Sequence, residues 1–226
     1  MGGLTRAQKT ELMKKKILYS SAKLFLEKGY TASSLKEICK AADINIGSLV
    51  NLYGCKENIM CELVEYVLEG QFAATENLLD GVTDDKILLY AAETTLQLHM
   101  AESSEHVREL YAVAYSIPNS SEVIYHKITE KLQEIFKEHL PDLETKDFYE
   151  LEIASGGIMR SYVTVPCDMY FTMERKVKRF LETTFLISRL PDEKIQEATE
   201  FVSRFDFGII AQQTIENMLK FLQSKV

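Results

Sequence analysis

Residues 42–59 read ADINIGSLVNLYGCKENI, and they predict a tight turn, a short helix and the start of a longer helix. Asn45 is a favourable N-cap residue for the short helix. Leu49 and Tyr53, four residues apart, would lie on one inward face of it. The stretch is therefore either an element that reads DNA or a connector with the same shape.

Two further helices are predicted immediately before this stretch. The segment from Thr10 to Lys28 carries apolar residues at helical spacing, and Gly29 after it is typical of the residue that closes a helix. Ser34 and Glu37 have the spacing of a capping box, which predicts that a two-turn helix begins there. Short helices joined by a tight turn indicate a helix-turn-helix, although a small three-helix cluster beside a larger helical domain would give the same pattern.

The composition is typical of a soluble globular protein. Of the 226 residues, 46% are hydrophobic and 27% are charged, which is enough apolar material for a core. We expect no secretory signal, because the first residues are polar and basic, and no membrane span, because no run of about 18 apolar residues occurs. The four cysteines lack a CxxC spacing, and we expect them to be reduced packing residues of a cytoplasmic protein.

The charge is distributed unevenly along the chain. The net charge is −8, but residues 1–60 carry ten of the 26 basic residues and only five of the 34 acidic ones. An anionic partner could therefore approach the first quarter of the chain, whereas the remainder would repel it. Uneven charge on an ordinary helical surface is the alternative interpretation.

The fold class is predicted to be all-α, because almost every long stretch has apolar residues at helical spacing and none alternates convincingly. The prolines at positions 118, 141, 166 and 191 mark joints between helices, since proline is poorly tolerated inside a helix. We predict about three short helices followed by six or seven longer ones. The predicted domains are a helix-turn-helix DNA-binding domain at 1–55 and a larger helical ligand-binding and dimerisation domain at 56–226.

The stretch ILYSSAKLFLEKGYTASSLKEICKAADINIGSLVNLYGCKENIM, residues 17–60, resembles the DNA-binding domain of the tetracycline repressor family of bacterial regulators. The residues that carry the resemblance are Ala22, Leu24, Phe25, Gly29, Tyr30, Ser34, Ile38, Ala42, Gly47, Leu49, Tyr53 and Lys56. The rest of the chain is similar to the family only in its helical layout. The resemblance implies a dimeric transcription regulator, expected to act as a repressor, that binds a palindromic DNA operator and is released by a small-molecule inducer.

The second helix of a helix-turn-helix enters the major groove of DNA. The residues expected to contact DNA, from this placement and from the resemblance, are Ser33, Ser34, Lys36, Asn45, Ile46, Gly47, Ser48, Val50, Asn51, Leu52, Tyr53 and Lys56. Ser33 and Ser34 would meet a phosphate at the start of a helix, and Lys56 would hold a phosphate as a point charge. Asn51 and Ser48 are the best candidates for contacts with base edges.

Several residues depart from the family pattern at this face. Ile46 stands where the family commonly has lysine, Val50 where it has tyrosine, Leu52 where it has an aromatic residue or histidine, Asp43 where it has a turn glycine, and Cys55 where it has a Ser or Thr cap. Ile46 and Val50 could instead contact thymine methyl groups. The alternative function is a ligand-binding dimer of the same fold whose DNA face has weakened at Ile46, Val50 and Cys55, so that it binds DNA poorly or conditionally.

The last helix is predicted to carry a wide apolar stripe, formed by Phe207, Ile210, Ala211, Thr214, Ile215, Met218, Leu219 and Leu222. A single subunit could cover this stripe, but the resemblance implies that C-terminal helices pair with those of a second subunit, so we expect a homodimer. The expected interface residues are Tyr170, Val177, Leu181, Phe185, Phe207, Ile210, Thr214, Met218 and Leu222.

Tyrosine, methionine and histidine residues are frequent at helical spacing between the two ends of the chain. The resemblance implies an inducer cavity between such helices, and walls of this kind suit a largely apolar ligand with a few polar anchors. The expected cavity residues are Tyr66, Tyr90, His99, Met100, Tyr111, Tyr115, Tyr125, Met159 and Tyr162. Ordinary core packing is the alternative for each of them.

No pattern in the sequence indicates an enzyme. His99 and His106 would lie about 10 Å apart on a helix, too far to share a metal ion without further ligands. There is no HExxH, glycine-rich phosphate loop or GxSxG motif. We therefore expect no catalytic residue, no metal ion and no cofactor.

Overall fold

The computed structural model describes residues 5–226, which form eleven helices and no strand. The helices are α1 (Arg6–Lys28), α2 (Leu35–Ala42), α3 (Ile46–Tyr53), α4 (Lys56–Leu79), α5 (Lys86–Glu102), α6 (Glu105–Ala114), α7 (Pro118–Phe136), α8 (Thr145–Thr164), α9 (Met173–Ile187), α10 (Asp192–Val202) and α11 (Phe207–Ser224). The all-α prediction is confirmed. Eight helices follow the first three, one more than the sequence predicted, because the C-terminal part contains the short helix α10.

The first three helices begin where local capping chemistry starts them. Thr5 and Gln8 form a capping box at α1, which therefore begins four residues before the predicted Thr10. The predicted capping box of Ser34 and Glu37 starts α2, and the Asn45 side chain accepts from the Ser48 amide at 2.8 Å to start α3. These caps satisfy amide groups that have no partner within their own helix.

The later helices also follow signals in the sequence. Pro118 is the first residue of α7, Pro191 is the N-cap residue of α10, and positions 141 and 166 lie in the connections on either side of α8. Proline at the first helical position loses no hydrogen bond, since that amide has no partner in any case. None of the described helices is long and apolar enough to cross a membrane.

The helix α5 lies at the centre of the larger helical part. Its residues are buried on all sides from Tyr90 to Leu98, and it contacts α4 and every helix from α6 to α11. A helix that is surrounded in this way needs apolar or small residues around its whole circumference. The buried polar residues Glu93 and Gln97 on α5 are therefore exceptions to this rule.

The connection between α8 and α9 is fastened to the core by one buried cation. The Lys176 side chain is 1% exposed, and its Nζ lies 2.7 Å from Glu102 Oε1 and 2.5 Å from the Val165 carbonyl oxygen. Glu102 also binds Arg108 at 3.1 Å, so the charge is paired within the fold. Removing one partner of such a buried pair would leave the other charge without compensation.

The loop between α1 and α2 is held by a carboxylate from α6. Glu109 accepts from the Tyr30 amide at 3.0 Å and from the Thr31 amide at 2.9 Å. Burial opposes ionisation of Glu109, but these hydrogen bonds hold its pKa below the usual value. Gly29 has a φ of 87°, and a Cβ atom at this position would collide with Glu109 Oε2.

This loop gives a test of the contact between the first helices and α6. We expect Gly29→Ala to lower the free energy of unfolding by about 3 kcal/mol, because it combines backbone strain with loss of charge-assisted hydrogen bonds. Gly81 is the matched control, since it also has a positive φ but a Cβ atom added to it would have nothing within 4 Å. Gly81→Ala should cost about 1 kcal/mol. Equal losses in urea unfolding would show that the Glu109 contact does not stabilise the protein.

Candidate DNA-binding face and ligand cavity

The turn between α2 and α3 uses an aspartate where a glycine is usual. Asp43 has a φ of 53° and a ψ of 52°, the left-handed conformation. Asp is one of the few residues that adopt it at modest cost. The Ile44 amide then donates to the Cys39 carbonyl at 3.0 Å, which closes α2. The departure at Asp43 is therefore compatible with the tight turn.

The helix α3 has one buried face and one exposed face. Leu49 and Tyr53 pack against the other helices of the N-terminal part, as predicted. On the opposite face Ile46 is 47% exposed and Val50 is 45% exposed. The remaining exposed residues of this face are Asn45, Gly47 and Asn51. The face is therefore open, weakly polar and without a charged side chain of its own.

Three of the residues predicted to contact DNA are occupied inside the fold. Ser33 is buried and its hydroxyl donates to the Gly29 carbonyl at 2.7 Å. Tyr53 is buried as well, so its side chain is not presented on the surface. Ser34, by contrast, is exposed at the start of α2. Of the serine pair, only Ser34 is exposed, and its hydroxyl donates to the Glu37 carboxylate at 2.6 Å.

Lys56 is the third residue that was predicted to contact DNA and is instead occupied inside the fold. Its Nζ donates to the Tyr30 carbonyl at 2.9 Å and to the Ser33 carbonyl at 2.8 Å, and lies 4.0 Å from the centre of the Tyr30 ring. Burial lowers the pKa of this ammonium group. Lys56 therefore joins the start of α4 to the loop before α2, whereas Lys36 is fully available on the surface. The Cys55 side chain forms no capping hydrogen bond with α4, as expected for a residue that stands where the family has a Ser or Thr cap.

A largely apolar cavity of about 120 Å³ lies between α1, α4, α5, α6, α7 and α11. The predicted residues Tyr66, Met100, Tyr111 and Tyr115 line it. An engineered apolar cavity of about 150 Å³ is known to accept benzene, so this space suits a group about the size of one ring.

Two glutamines that the sequence analysis missed supply the polar groups of this cavity. Gln71 Nε2 donates to the Tyr111 hydroxyl, and Gln97 Nε2 donates to the Tyr115 hydroxyl at 2.9 Å. Gln71 Oε1 is buried without a hydrogen-bond partner among the described residues. The signal was present, because each glutamine interrupts a buried apolar helix face.

A second, much smaller cavity of about 20 Å³ adjoins the first, and Gln97 and Tyr115 line both. The predicted residues Tyr90 and Met159 line the small cavity. It also contains two carboxyl groups that the sequence analysis did not single out, Glu93 and Glu152, each 2% exposed. Burial raises the pKa of both to about 8.

Three residues predicted to line the ligand cavity lie elsewhere. The His99 ring packs against Phe207, with ring centroids 5.9 Å apart. Tyr125 packs against Tyr149, and Tyr162 packs against Phe171 and Phe180. Helical spacing alone predicted these three residues, and it cannot distinguish a cavity wall from a contact between neighbouring helices.

The dimer interface expected at the end of the chain stays a prediction, and most of its residues are covered within this chain, because α10 and α11 pack onto the core. The helix α11 contacts α5, α1 and α4. Six of the predicted interface residues are buried within this single chain, namely Val177, Leu181, Phe185, Phe207, Thr214 and Leu222. Met218 and Leu222 line the large cavity and Ile210 is half-buried. Only Tyr170, at 78% exposed, is freely accessible.

Nothing in the described residues 5–226 resembles a metal centre, since no three His, Cys, Asp or Glu side chains are grouped to hold an ion. The His99 and His106 side chains have separate surroundings, and His106 Nδ1 lies 3.1 Å from the Leu26 carbonyl oxygen.

The chain is similar to known transcriptional regulators. It is 26% identical over 166 residues to YttP of Bacillus subtilis, which is named as a probable HTH-type transcriptional regulator, covering 72% of this chain and 73% of YttP. It is 22% identical over 192 residues to YerO of the same organism, an uncharacterized HTH-type transcriptional regulator, covering 79% of this chain and 63% of YerO. No family model matches the chain.

Solved structures share its fold. RolR, solved in complex with resorcinol, superimposes with a TM-score of 0.67 at 18% identity, over 88% of this chain and 97% of RolR. A TetR-family transcriptional regulator from Syntrophomonas wolfei gives a TM-score of 0.52 at 18% identity, over 79% of this chain and 95% of that protein. The fold that the resemblance of residues 17–60 implies is confirmed, and the two relatives from Bacillus subtilis are named as transcriptional regulators.

The roles of Lys36 and Lys56, the two lysines predicted to contact DNA, can be separated by experiment. We expect Lys56→Met to lower the free energy of unfolding by about 1–3 kcal/mol, because it leaves two loop carbonyl groups without a partner. Lys36→Met should change stability by less than about 0.5 kcal/mol. Urea unfolding of both variants measures this difference. If they unfold at the same urea concentration, the carbonyl contacts of Lys56 contribute nothing to stability.

The two buried carboxyl groups make stability depend on pH. Their pKa rises from 4.5 to about 8 on folding, so the unfolded chain loses these protons first as the pH rises. Their contribution to the free energy of unfolding is complete below pH 4.5 and is lost as the pH rises from 4.5 to 8. Within this range each group lowers the free energy of unfolding by up to about 1.4 kcal/mol per pH unit. The double variant Glu93→Gln, Glu152→Gln should therefore gain stability over the wild type as the pH rises from about 5 to about 8. Glu150→Gln, which changes an exposed residue of α8, is the control. A constant difference across this range would contradict the assignment.

Proposed function

We propose that this chain, which is similar to HTH-type transcriptional regulators, is a dimeric repressor that binds a palindromic operator and leaves it when a small molecule binds. Residues 1–55 are the proposed DNA-binding domain, and residues 56–226 the proposed ligand-binding and dimerisation domain. The observation that carries the proposal is the exposed face of α3. Its residues Ile46 and Val50 contribute nothing to the core, yet they lie on the helix that enters the major groove in a helix-turn-helix.

The proposed contacts with DNA are divided between two kinds of residue. Ser34 and Lys36, both exposed near the start of α2, are assigned to phosphates. Asn51 is assigned to a base edge, and Ile46 and Val50 to thymine methyl groups. Gly47, Ser48 and Leu52 complete the face as close contacts. Asn45 is expected to contribute mainly as the N-cap residue of α3, since its side-chain oxygen already accepts a hydrogen bond.

We propose that the dimer forms through the outer face of α8, with the nearby α8–α9 connection. Ile153, Ala154, Gly157 and Ser161 are exposed at helical spacing along α8, and nothing lies within 4 Å of a side chain placed at Gly157. Small residues in such a row allow two helices to approach closely. The exposed apolar residues Val165, Met169, Tyr170 and Leu186 extend the surface. A two-fold dimer would place two copies of α3 roughly 34–36 Å apart, one turn of DNA.

The large cavity is the proposed effector site. Its walls are apolar, and Gln71 Oε1 offers an unoccupied acceptor to a ligand donor. RolR was solved with resorcinol, a molecule with one ring, which agrees in size with the space here. An effector that prefers one dimer shape would shift the population away from the shape in which both copies of α3 fit successive major grooves.

The alternative function remains a ligand-binding dimer with a weakened DNA face. The observations that favour it are the lack of a charged residue on the exposed face of α3 and the use of Lys56 inside the fold. Both functions share the fold and the cavity. They differ in whether a duplex of defined sequence is bound.

The test is selection of bound sequences from a random duplex pool, followed by measurement of affinity against salt. We expect an inverted repeat bound by two protomers, with a dependence on salt that indicates about six or more neutralised phosphates. Asn51→Ala should weaken binding of the selected duplex by about 1–3 kcal/mol and relax sequence preference at one position in each half-site. Asn217→Ala, at an exposed residue of α11, is the matched control and should leave binding unchanged. A folded dimer that enriches no sequence at low salt would establish the alternative.

A further inference from the structure

The small cavity brings together two carboxyl groups that have no counter-ion. Glu93 comes from α5 and Glu152 from α8, and neither forms an ion pair with another residue in the described part of the chain. Glu152 Oε2 accepts from the Ser155 hydroxyl at 2.8 Å. Glu93 Oε1 is buried and has no hydrogen-bond partner in the same part of the chain. Buried carboxyl groups are rare unless a partner compensates the loss of water.

The hydrogen-bonding groups around this cavity are mainly acceptors when the two glutamates are ionised. The Thr94 hydroxyl donates to the Tyr90 carbonyl at 2.9 Å, which leaves its oxygen lone pairs free. The two glutamates add four carboxyl oxygens, of which Glu152 Oε2 already accepts from Ser155. The Tyr115 hydroxyl accepts from Gln97, so it has a proton to donate as well. An ammonium group has three donors and no acceptor, so it complements such a site.

The size of the cavity limits what it can hold. A volume of about 20 Å³ is enough for one water-sized group. The absence of a side chain at Gly156 preserves this space, because a Cβ atom there would lie 2.8 Å from Glu152 Oε1. A single ammonium group fits, whereas a ring does not.

The small cavity adjoins the proposed effector site at two shared residues. Gln97 and Tyr115 line both cavities, and their side chains are joined by the hydrogen bond at 2.9 Å. A ligand with an apolar body and a short arm could therefore occupy both spaces. Its arm would reach the carboxyl groups beside the Gln97–Tyr115 pair.

We propose that the effector is an amphiphilic amine, whose apolar body of about one ring occupies the large cavity and whose ammonium group lies between Glu93 and Glu152. The effector role rests on the proposed function, whereas the binding of the amine does not. The site supplies two carboxyl groups to one cation, and Gln71 and the two tyrosine hydroxyls orient the body of the ligand.

Binding of a cation between Glu93 and Glu152 should release protons from these two carboxyl groups. The charged and titratable groups that face the pair are Tyr90 on α5, Tyr111 on α6, Tyr115 directly after α6 and Lys131 on α7. Lys131 acts on Glu93 from the surface, where it also lies 3.4 Å from Glu134. Because burial raises the pKa of both glutamates to about 8, the empty site is largely protonated at pH 7. An ammonium ion favours the carboxylate form, so its binding releases about one proton.

The experiment compares 2-phenylethylamine with 2-phenylethanol, which has nearly the same shape and no charge. Isothermal titration calorimetry of the full chain at pH 7 should give at least a tenfold tighter binding of the amine. Titration in two buffers of different ionisation enthalpy should show about one proton released per amine and none per alcohol. Equal affinities, no binding of the amine at millimolar concentration, or binding without proton release would each overturn the proposal.

Variants identify the residues involved. The double variant Glu93→Gln, Glu152→Gln should remove the preference for the amine and change the affinity for the alcohol by less than about twofold, because the neutral amide keeps the shape of the site. Glu150→Gln, which removes an exposed charge from the same helix, should keep the full preference. A preference that persists in the double variant would overturn the assignment to this pair. If the double variant does not fold, the affinities and proton release of the wild type decide the question.

The selected operator duplex separates this inference from the proposed function. The amine and the alcohol are compared at concentrations that occupy the protein to the same extent. If the amine releases the duplex and the alcohol does not, the amine is supported as the effector. Binding of the amine without release keeps the ammonium site and overturns its regulatory role. If no duplex is selected at all, the proposed function fails while the calorimetry still decides on the ammonium site.

Discussion

The loop from Gly29 to Ser33 is the constraint on which the N-terminal part of the molecule depends. Two charged side chains from outside this part satisfy its backbone groups from opposite sides. Glu109 of α6 accepts from the amides of Tyr30 and Thr31, and Lys56 of α4 donates to the carbonyls of Tyr30 and Ser33. The loop sets where α2 begins, and α2 in turn carries α3. The orientation of the exposed α3 face is therefore tied to helices of the larger part.

The helix α6 connects this loop with the cavity. Val107, Leu110, Tyr111 and Ala114 face the cavity, while Glu109 on the same helix holds the loop. A helix of ten residues moves nearly as one body, so a change in the packing around Tyr111 also changes the position of Glu109. Such an element gives a physical connection between the two sites, provided that it has two arrangements that ligand and DNA favour differently.

The features that the sequence predicted correctly depend on residues close together in the chain. The capping box at Ser34 and the N-cap at Asn45 each involve a separation of three residues. The features that the sequence could not determine depend on what packs against a helix. The apolar stripe of α11 was clear, but periodicity does not show whether a second subunit or, as here, the chain's own α5, α4 and α1 cover it. Glu93 and Glu152 were missed for the same reason, because they come together only when α5 and α8 meet in the fold.

The exposed isoleucine and valine of α3 also have a thermodynamic consequence. A recognition face made of lysines gains its affinity largely from the release of counter-ions, whereas Ile46 and Val50 can contribute only by burying apolar surface. Burial of apolar surface lowers the heat capacity of the complex. In the proposed complex, association of this face with base pairs therefore carries an enthalpy that changes with temperature, and the affinity is highest at the temperature where this enthalpy is zero.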